Sequence, residues 1–171
     1  MKKTSIRKMV FAALMAALVC VATMIVEIPS PTNGYVNLGD CFVLLAGWLL
    51  GPWYGAAAAG IGSMLTDLFM GYAYYAPGTL IIKGLMGFLA GTIYRALRKV
   101  APKAAMPVSG IAAEAVMVLG YFLYAAAILG YGVAGGVAGV PGNLVQGAVG
   151  LVAAMVLMVS LRHTGIEKKL I

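Results

Sequence analysis

Residues 54–99 read YGAAAAGIGSMLTDLFMGYAYYAPGTLIIKGLMGFLAGTIYRALRK, and this stretch decides the kind of fold. Two apolar runs, 54–71 and 78–97, flank a short aromatic connector, Tyr72–Pro77. Each run approaches the roughly 20 residues that a helix needs to cross a bilayer. Ala59, Ser63, Asp67 and Gly71 recur every four residues on the first run, and Gly84, Gly87 and Gly91 share a face of the second. Lipid supplies no hydrophobic drive for helix association, so faces of small residues are how membrane helices pack closely. Asp67 lies on such a face and is therefore expected to point into a bundle rather than toward lipid. Lys83 sits early in the second run, inside the apolar segment, where an ionisable group is costly unless it is paired or lines a wet cavity.

The rest of the chain extends the same pattern. It is 63% hydrophobic over 171 residues, with a mean hydropathy of +0.99. Further apolar runs cover 8–28, 39–52, 107–128 and 140–161. The expectation is an all-α, polytopic membrane protein, a single domain over 1–171 built as a six-transmembrane-helix bundle. The runs 39–52 and 54–71 are short, which implies tight packing, tilt or incomplete spanning.

The net charge of +7 resembles that of a nucleic-acid binder, but its placement argues otherwise. Lys2, Lys3, Arg7 and Lys8 precede the first run; Arg95, Arg98, Lys99 and Lys103 follow the fourth; Arg162, Lys168 and Lys169 follow the sixth. With six spans all three clusters fall on one side, and basic residues flanking spans mark the cytoplasmic side. Both termini are thus expected in the cytoplasm, and no nucleic-acid partner is expected. The N-terminal run ends in Glu27-Ile28-Pro29-Ser30-Pro31 without a small-residue cleavage pattern, so it reads as a retained helix. Cys20 and Cys41 lack metal-ligand spacing and read as small buried hydrophobes, and no metal site is expected.

Three segments are inferred to lie outside: Pro29–Leu38, turn-rich with Asn33-Gly34; the tyrosine-rich Tyr72–Pro77; and Leu129–Gly139, read as a mobile Gly-rich loop. Near them gather Asn37, Asp40, Asp67, Lys83, Asn143 and Gln146, with Glu114 deeper. On the fifth run Glu114, Tyr121 and Tyr124 share a face, seven residues being nearly two helical turns. The sixth is expected to begin at Pro141, placing Asn143, Gln146, Gly147 and Gly150 along one stripe. Lys83 pairs with Asp67 or Asp40, or meets a ligand, or does both. Glu114 reads equally as a ligand contact or as a structural group.

No catalytic set emerges. The single His163 lies in the C-terminal tail, far from Ser63 and the acids, and no phosphate-binding loop is present. Six helices are few for a self-contained alternating-access machine, which usually repeats its fold. A polar pocket without an engine points to a binding subunit, not an enzyme, that borrows energy from partners. The competing reading is a stand-alone proton-coupled secondary transporter or channel using Asp67, Lys83 and Glu114.

The motifs Tyr35-Val36-Asn37-Leu38-Gly39-Asp40, Leu50-Gly51-Pro52-Trp53-Tyr54-Gly55, Gly60-Ile61-Gly62-Ser63 with Asp67-Leu68, and Gly71-Tyr72 through Tyr75-Ala76-Pro77 to Lys83-Gly84 resemble the substrate-binding S components of energy-coupling factor (ECF) vitamin transporters. The likeness is greatest to the branch of hydroxymethylpyrimidine and pyridoxine importers. Helices 5 and 6 match more loosely, through Gly120-Tyr121-Phe122 and Pro141, Asn143 and Gln146. Relatives often place an acid shortly after Tyr121-Phe122, where this chain has Ala125-Ala126-Ala127.

The resemblance implies a six-helix bundle in a prokaryotic plasma membrane and a vitamin-sized ligand near the outer surface. Asn37, Asp40, Lys83, Glu114, Asn143 and Gln146 would supply polar contacts, and Tyr72, Tyr75 and Tyr121 would supply ring faces. Asp67 would bind ligand or only fix Lys83. Hydroxymethylpyrimidine, pyridoxine and pantothenate all remain candidates. The chain itself would bind no cofactor, ATP being used by two partner ATPase subunits, and it would dock on a transmembrane coupling subunit through Ala12 and Ala16. Internal packing is the competing reading of the overlapping pairs formed by Ala12, Ala13, Ala16 and Ala17.

Overall fold

A computed structural model of the chain describes residues 3–29 and 35–163. Lys2, the Asn33-Gly34 turn, Lys168 and Lys169 lie outside the described residues. The order of elements is α1 (Lys3–Ile25), β1 (Glu27–Pro29), β2 (Tyr35–Asn37), α2 (Gly39–Leu50), α3 (Pro52–Phe69), α4 (Ala76–Leu97), α5 (Ala105–Leu123) and α6 (Gly132–His163). A π-helical turn, Tyr124–Ile128, continues α5. The helices α1, α4, α5 with its π turn, and α6 are long and apolar enough to cross a membrane.

Polarity is distributed inside out. Val10, Leu14, Val21, Ile111, Leu119, Leu123, Val145, Val152 and Val156 are exposed around the girth, whereas Asp40, Asp67, Lys83, Glu114 and Gln146 are buried. Ionisable groups in a membrane bundle face its interior for this reason.

At the centre lies α2. Every residue from Gly39 to Leu50 except Phe42 is buried, and its 12 residues extend about 18 Å, against a hydrocarbon core of about 30 Å. It is an internal strut enclosed by its neighbours. Close backbone approaches hold it: a Cβ on Gly47 would lie 2.6 Å from the Gly87 carbonyl oxygen, and one on Gly87 would lie 2.7 Å from that of Gly55. The expected glycine face of α4 thus meets both α2 and α3. Gly51, at φ 81°, makes the tight turn between them, a backbone region that glycine enters without steric cost. The buried Trp48 indole donates to Ser109 Oγ at 2.9 Å. At the same end Arg95 donates to the Leu50 carbonyl at 3.1 Å and Arg162 to the Tyr94 hydroxyl at 2.8 Å.

The bundle is helical, with two local departures from expectation. The first run ends at Ile25 rather than 28, and Glu27–Pro29 pairs antiparallel with Tyr35–Asn37, with Glu27 opposite Asn37 and Pro29 opposite Tyr35. Prolines and a turn sequence in 29–34 disfavour helix there, so the backbone satisfies itself across a short ribbon. In addition, Leu129–Gly139 is mostly helix, because α6 begins at Gly132 and carries Pro141 inside it. Buried Gly136 explains why. A Cβ there would lie 2.9 Å from the Phe122 carbonyl oxygen, so Gly136 lets α6 pack directly on α5. Proline within a membrane helix is tolerated where neighbouring groups compensate for the lost hydrogen bond.

Candidate functional site

Residues from β2, α1, α3, α4, α6 and the end of α5 line a partly open pocket. Its base is a hydrogen-bonded chain anchored on Asp40, in the first turn of α2. Asp40 is fully buried and forms an ion pair with Lys83 of α4. Its other oxygen accepts from Gln146 Nε2 of α6 at 2.6 Å. Gln146 Oε1 in turn accepts from the Asn37 backbone N–H at 2.9 Å, and Asn37 Oδ1 accepts from Gly39 N–H at 2.8 Å. Asp40 therefore sits where the positive end of a helix dipole favours a carboxylate, and one polar chain ties β2, α2, α4 and α6 together. Gly150 permits it: a Cβ there would approach Asp40 Cβ to 2.8 Å.

The side wall is built on α3. Asp67 is buried on the small-residue face with Ala59 and Ser63. Tyr35 donates to Asp67 Oδ1 at 2.7 Å, while Oδ2 is buried without a partner among the described residues. The Tyr35 phenol is held well above its ordinary range, first by burial and then by the Asp67 charge and hydrogen bond. Opposite stand tyrosines. Tyr75 and Tyr121 meet edge to face at 6.3 Å, Tyr75 and Tyr124 lie 6.0 Å apart, and Lys83 Nζ lies 5.5 Å from the Tyr121 ring centre. The Tyr121 hydroxyl shares a 3.1 Å hydrogen bond with Thr79. Half-buried Asn143 completes the lining from α6.

Of the ten residues expected to meet a ligand, the lining includes Asn37, Asp67, Tyr75, Lys83, Tyr121, Asn143 and Gln146. Asp40 lies beneath, as the partner of Lys83 and Gln146. Glu114 is also off the lining: it is buried against Gly147, where a Cβ would lie 3.0 Å from Oε2, and both its oxygens lack partners among the described residues. Tyr72 is likewise off the lining, because its hydroxyl is drawn to Glu27 at 2.7 Å and its ring packs 4.8 Å from that of Tyr35. The hydrogen bond to Glu27 favours the protonated phenol and is the main reason the Tyr72 pKa is pushed up to about 12. Ala12 is buried in the core, and a Cβ on Gly62 would lie 2.5 Å from the Ala16 carbonyl oxygen, so α1 meets α3 closely at Ala16. Ala13 and Ala17 are the pair on the open surface.

Thr23, Tyr35, Ser63, Thr79, Ala125, Gly136 and Gly139 also line the pocket but were not expected there as ligand contacts. Tyr35 had a readable signal: in a strand, residues two apart share a face, which puts it beside Asn37. Gly136 and Gly139 were hidden by the loop reading. The run Ala125-Ala126-Ala127 lies on the π turn, with Ala125 in the wall. Among the described residues, no group of three or more His, Cys, Asp or Glu is arranged to hold a metal.

Comparison with known proteins is consistent from end to end. The family model described as "ECF-type riboflavin transporter, S component" matches residues 3–163. The thiamine precursor transporter HmpT of Lactococcus lactis is 32% identical over 169 residues, covering 97% of this chain and 94% of the relative. A Pyrococcus woesei protein with no assigned function is 38% identical over 135 residues, 78% of this chain and 87% of its own length. Among solved structures, one reported under "Structure and mechanism of the S component of a bacterial ECF transporter" superposes with a TM-score of 0.71 at 20% identity, covering 94% of this chain and 98% of that one.

Proposed function

The chain belongs to the ECF-type transporter S component family, and we propose that it is the high-affinity binding subunit of a vitamin-precursor importer, specific for a small flat heterocycle of the hydroxymethylpyrimidine or pyridoxine type. The observation that carries this reading is the pocket itself: tyrosine faces on one side, a polar base of Asn37, Lys83 and Gln146 on the other, in a chain similar over nearly its whole length to a thiamine precursor transporter. Aromatic walls with a few fixed polar groups suit an aromatic ring bearing hydroxyl or amine substituents.

In this reading all six helices lie in a prokaryotic plasma membrane with both termini in the cytoplasm, as the basic clusters on one side favour. The subunit passes its ligand inward by docking on a transmembrane coupling subunit, and two partner ATPases supply the energy. The exposed Ala13 and Ala17 of α1, rather than Ala12 and Ala16, form the small-residue surface for that contact. Nanomolar affinity requires about −12 kcal/mol, which an enclosed ring with several hydrogen bonds can supply.

The test is mass spectrometry of small molecules released on denaturing the gently purified protein. Stoichiometric recovery of a hydroxymethyl-bearing heterocycle is expected. An empty protein that no vitamin or precursor stabilises against heat would defeat the reading.

A further inference from the structure

We propose that Asp67 is the specificity-determining residue of the pocket, selecting a ring that carries an exocyclic amine or another N–H donor and rejecting carboxylate ligands. This inference rests on the vitamin-precursor reading and narrows its substrate class.

The argument begins with charge. Asp67 and Lys83 line the pocket together, but the Lys83 charge is already matched by Asp40 beneath it. Three carboxyl groups, Asp40, Asp67 and Glu114, are thus buried around a single ammonium. A ligand carboxylate would enter with no uncommitted cation to meet it, and an unpaired buried charge is costly.

The second strand is hydrogen-bond demand. Asp67 Oδ1 accepts from Tyr35 at 2.7 Å, which fixes the carboxyl orientation. Asp67 lines the cavity, and its Oδ2 is buried and makes no hydrogen bond among the described residues, the neighbouring Thr79 hydroxyl being shared with Tyr121. A buried acceptor left unmet forfeits the hydrogen bonds it would make in water, so the missing partner is a donor brought by the ligand. Lys83 supplies the complement. One of its three N–H groups serves Asp40, and the others remain to donate to a neutral acceptor such as a ring nitrogen. An acceptor facing a donor across one pocket matches a ring with an amine beside a ring nitrogen, the pattern of an aminopyrimidine. A site built around such a group discriminates strongly against analogues lacking it, because its own polar atom is then left unpaired.

The experiment is calorimetric titration of the intact, ligand-free chain in detergent with three probes: hydroxymethylpyrimidine carrying the ring amine, its deaminated keto counterpart, and pantothenate. Wild type is expected to bind the amine-bearing ring at least about 100-fold more tightly than the keto ring and to show no binding of pantothenate. Asp67→Asn should cut affinity for the amine-bearing ring about 10- to 100-fold and reduce the preference to within a few-fold. Tyr35→Phe frees the carboxyl from its fixed orientation and serves if Asp67→Asn is not recovered folded; it should weaken the amine-bearing ring several-fold more than the keto ring and so narrow the preference between them. Equal binding of the two rings, preference for pantothenate, or an amine preference that survives Asp67→Asn would overturn the inference while leaving the vitamin-precursor reading intact. Failure of all three probes on the wild type, with none of them recovered from the native protein, would remove both.

Discussion

Lys83 of α4 is paired with Asp40 of α2, not with Asp67 of α3. The pair is buried at the junction of four elements, so it closes the base of the pocket and matches the lysine's charge within the protein, leaving its other N–H groups to a neutral acceptor. Breaking a buried ion pair from one side strands the other charge, at a cost of about 3–5 kcal/mol. Lys83→Met is expected to lower stability by that order, read as thermal unfolding in detergent. Adding Asp40→Asn should recover part of the loss, since the amide still accepts from Gln146 and the charge at position 40 is no longer stranded. A Lys83→Met variant as stable as wild type would exclude a structural role for the pair.

The glycines of α4 are not equivalent. A Cβ on Gly87 would lie 2.7 Å from the Gly55 carbonyl oxygen, whereas one on Gly84 finds its nearest neighbour at 3.7 Å. Gly87→Ala must push α3 and α4 apart, and overpacking of this kind costs about 1–3 kcal/mol. Gly84→Ala makes ordinary contact and gains up to about 1 kcal/mol of helix propensity. Thermal unfolding of the two variants should therefore shift in opposite directions.

The ribbon end carries a titration that can be followed optically. Tyr72 is raised from 10.0 to about 12, chiefly by its hydrogen bond to Glu27. The folded value lies above the unfolded one, so the stabilisation is fully present below about pH 10 and is lost as pH rises through about 12. An ultraviolet titration should show a tyrosine ionising near pH 12 that disappears in Tyr72→Phe. In Glu27→Gln it should move back toward 10.0, since the carboxylate is the main cause. No such movement would mean that the contact does not form in solution.

Bulk on α1 should separate folding from transport. Ala13→Trp and Ala17→Trp lie on the open surface and are expected to leave ligand binding by the isolated subunit unchanged while reducing uptake in cells at least about 10-fold, about 1.4 kcal/mol of lost coupling. Ala12→Trp enters the core and should instead lower the unfolding temperature. Full uptake by both surface variants would place the docking contact elsewhere.

Much of the site was legible because it depends on residue type within an apolar background. Ionisable and amide groups inside apolar runs, such as Lys83 in 78–97 and Gln146 in 140–161, are expected to face inward, and seven of the residues expected as contacts lie on the lining of one pocket. Misplacements arose where neighbours rather than hydropathy decide. Tyr72 resembles Tyr75 in sequence, yet a carboxylate 45 positions away holds it off the lining. The Gly-rich segment before Pro141 looks like a loop until Phe122 at the end of α5 is present to pack on Gly136.

What the sequence by itself determined is the membrane as solvent, the helical runs that cross or fill it, the inward placement of the polar groups and, through its motifs, the family. These are local or short-period properties, since hydropathy and helical spacing are read within one segment. Tertiary structure alone decided that Lys83 takes Asp40 and leaves an Asp67 oxygen open, that Gln146 reaches Asp40 from 106 positions away, that 27–29 and 35–37 form a ribbon, and that Ala13 and Ala17 are the open pair. Partner choice among several buried acids depends on which side chains are brought within hydrogen-bond distance, and only the packing of distant helices sets that.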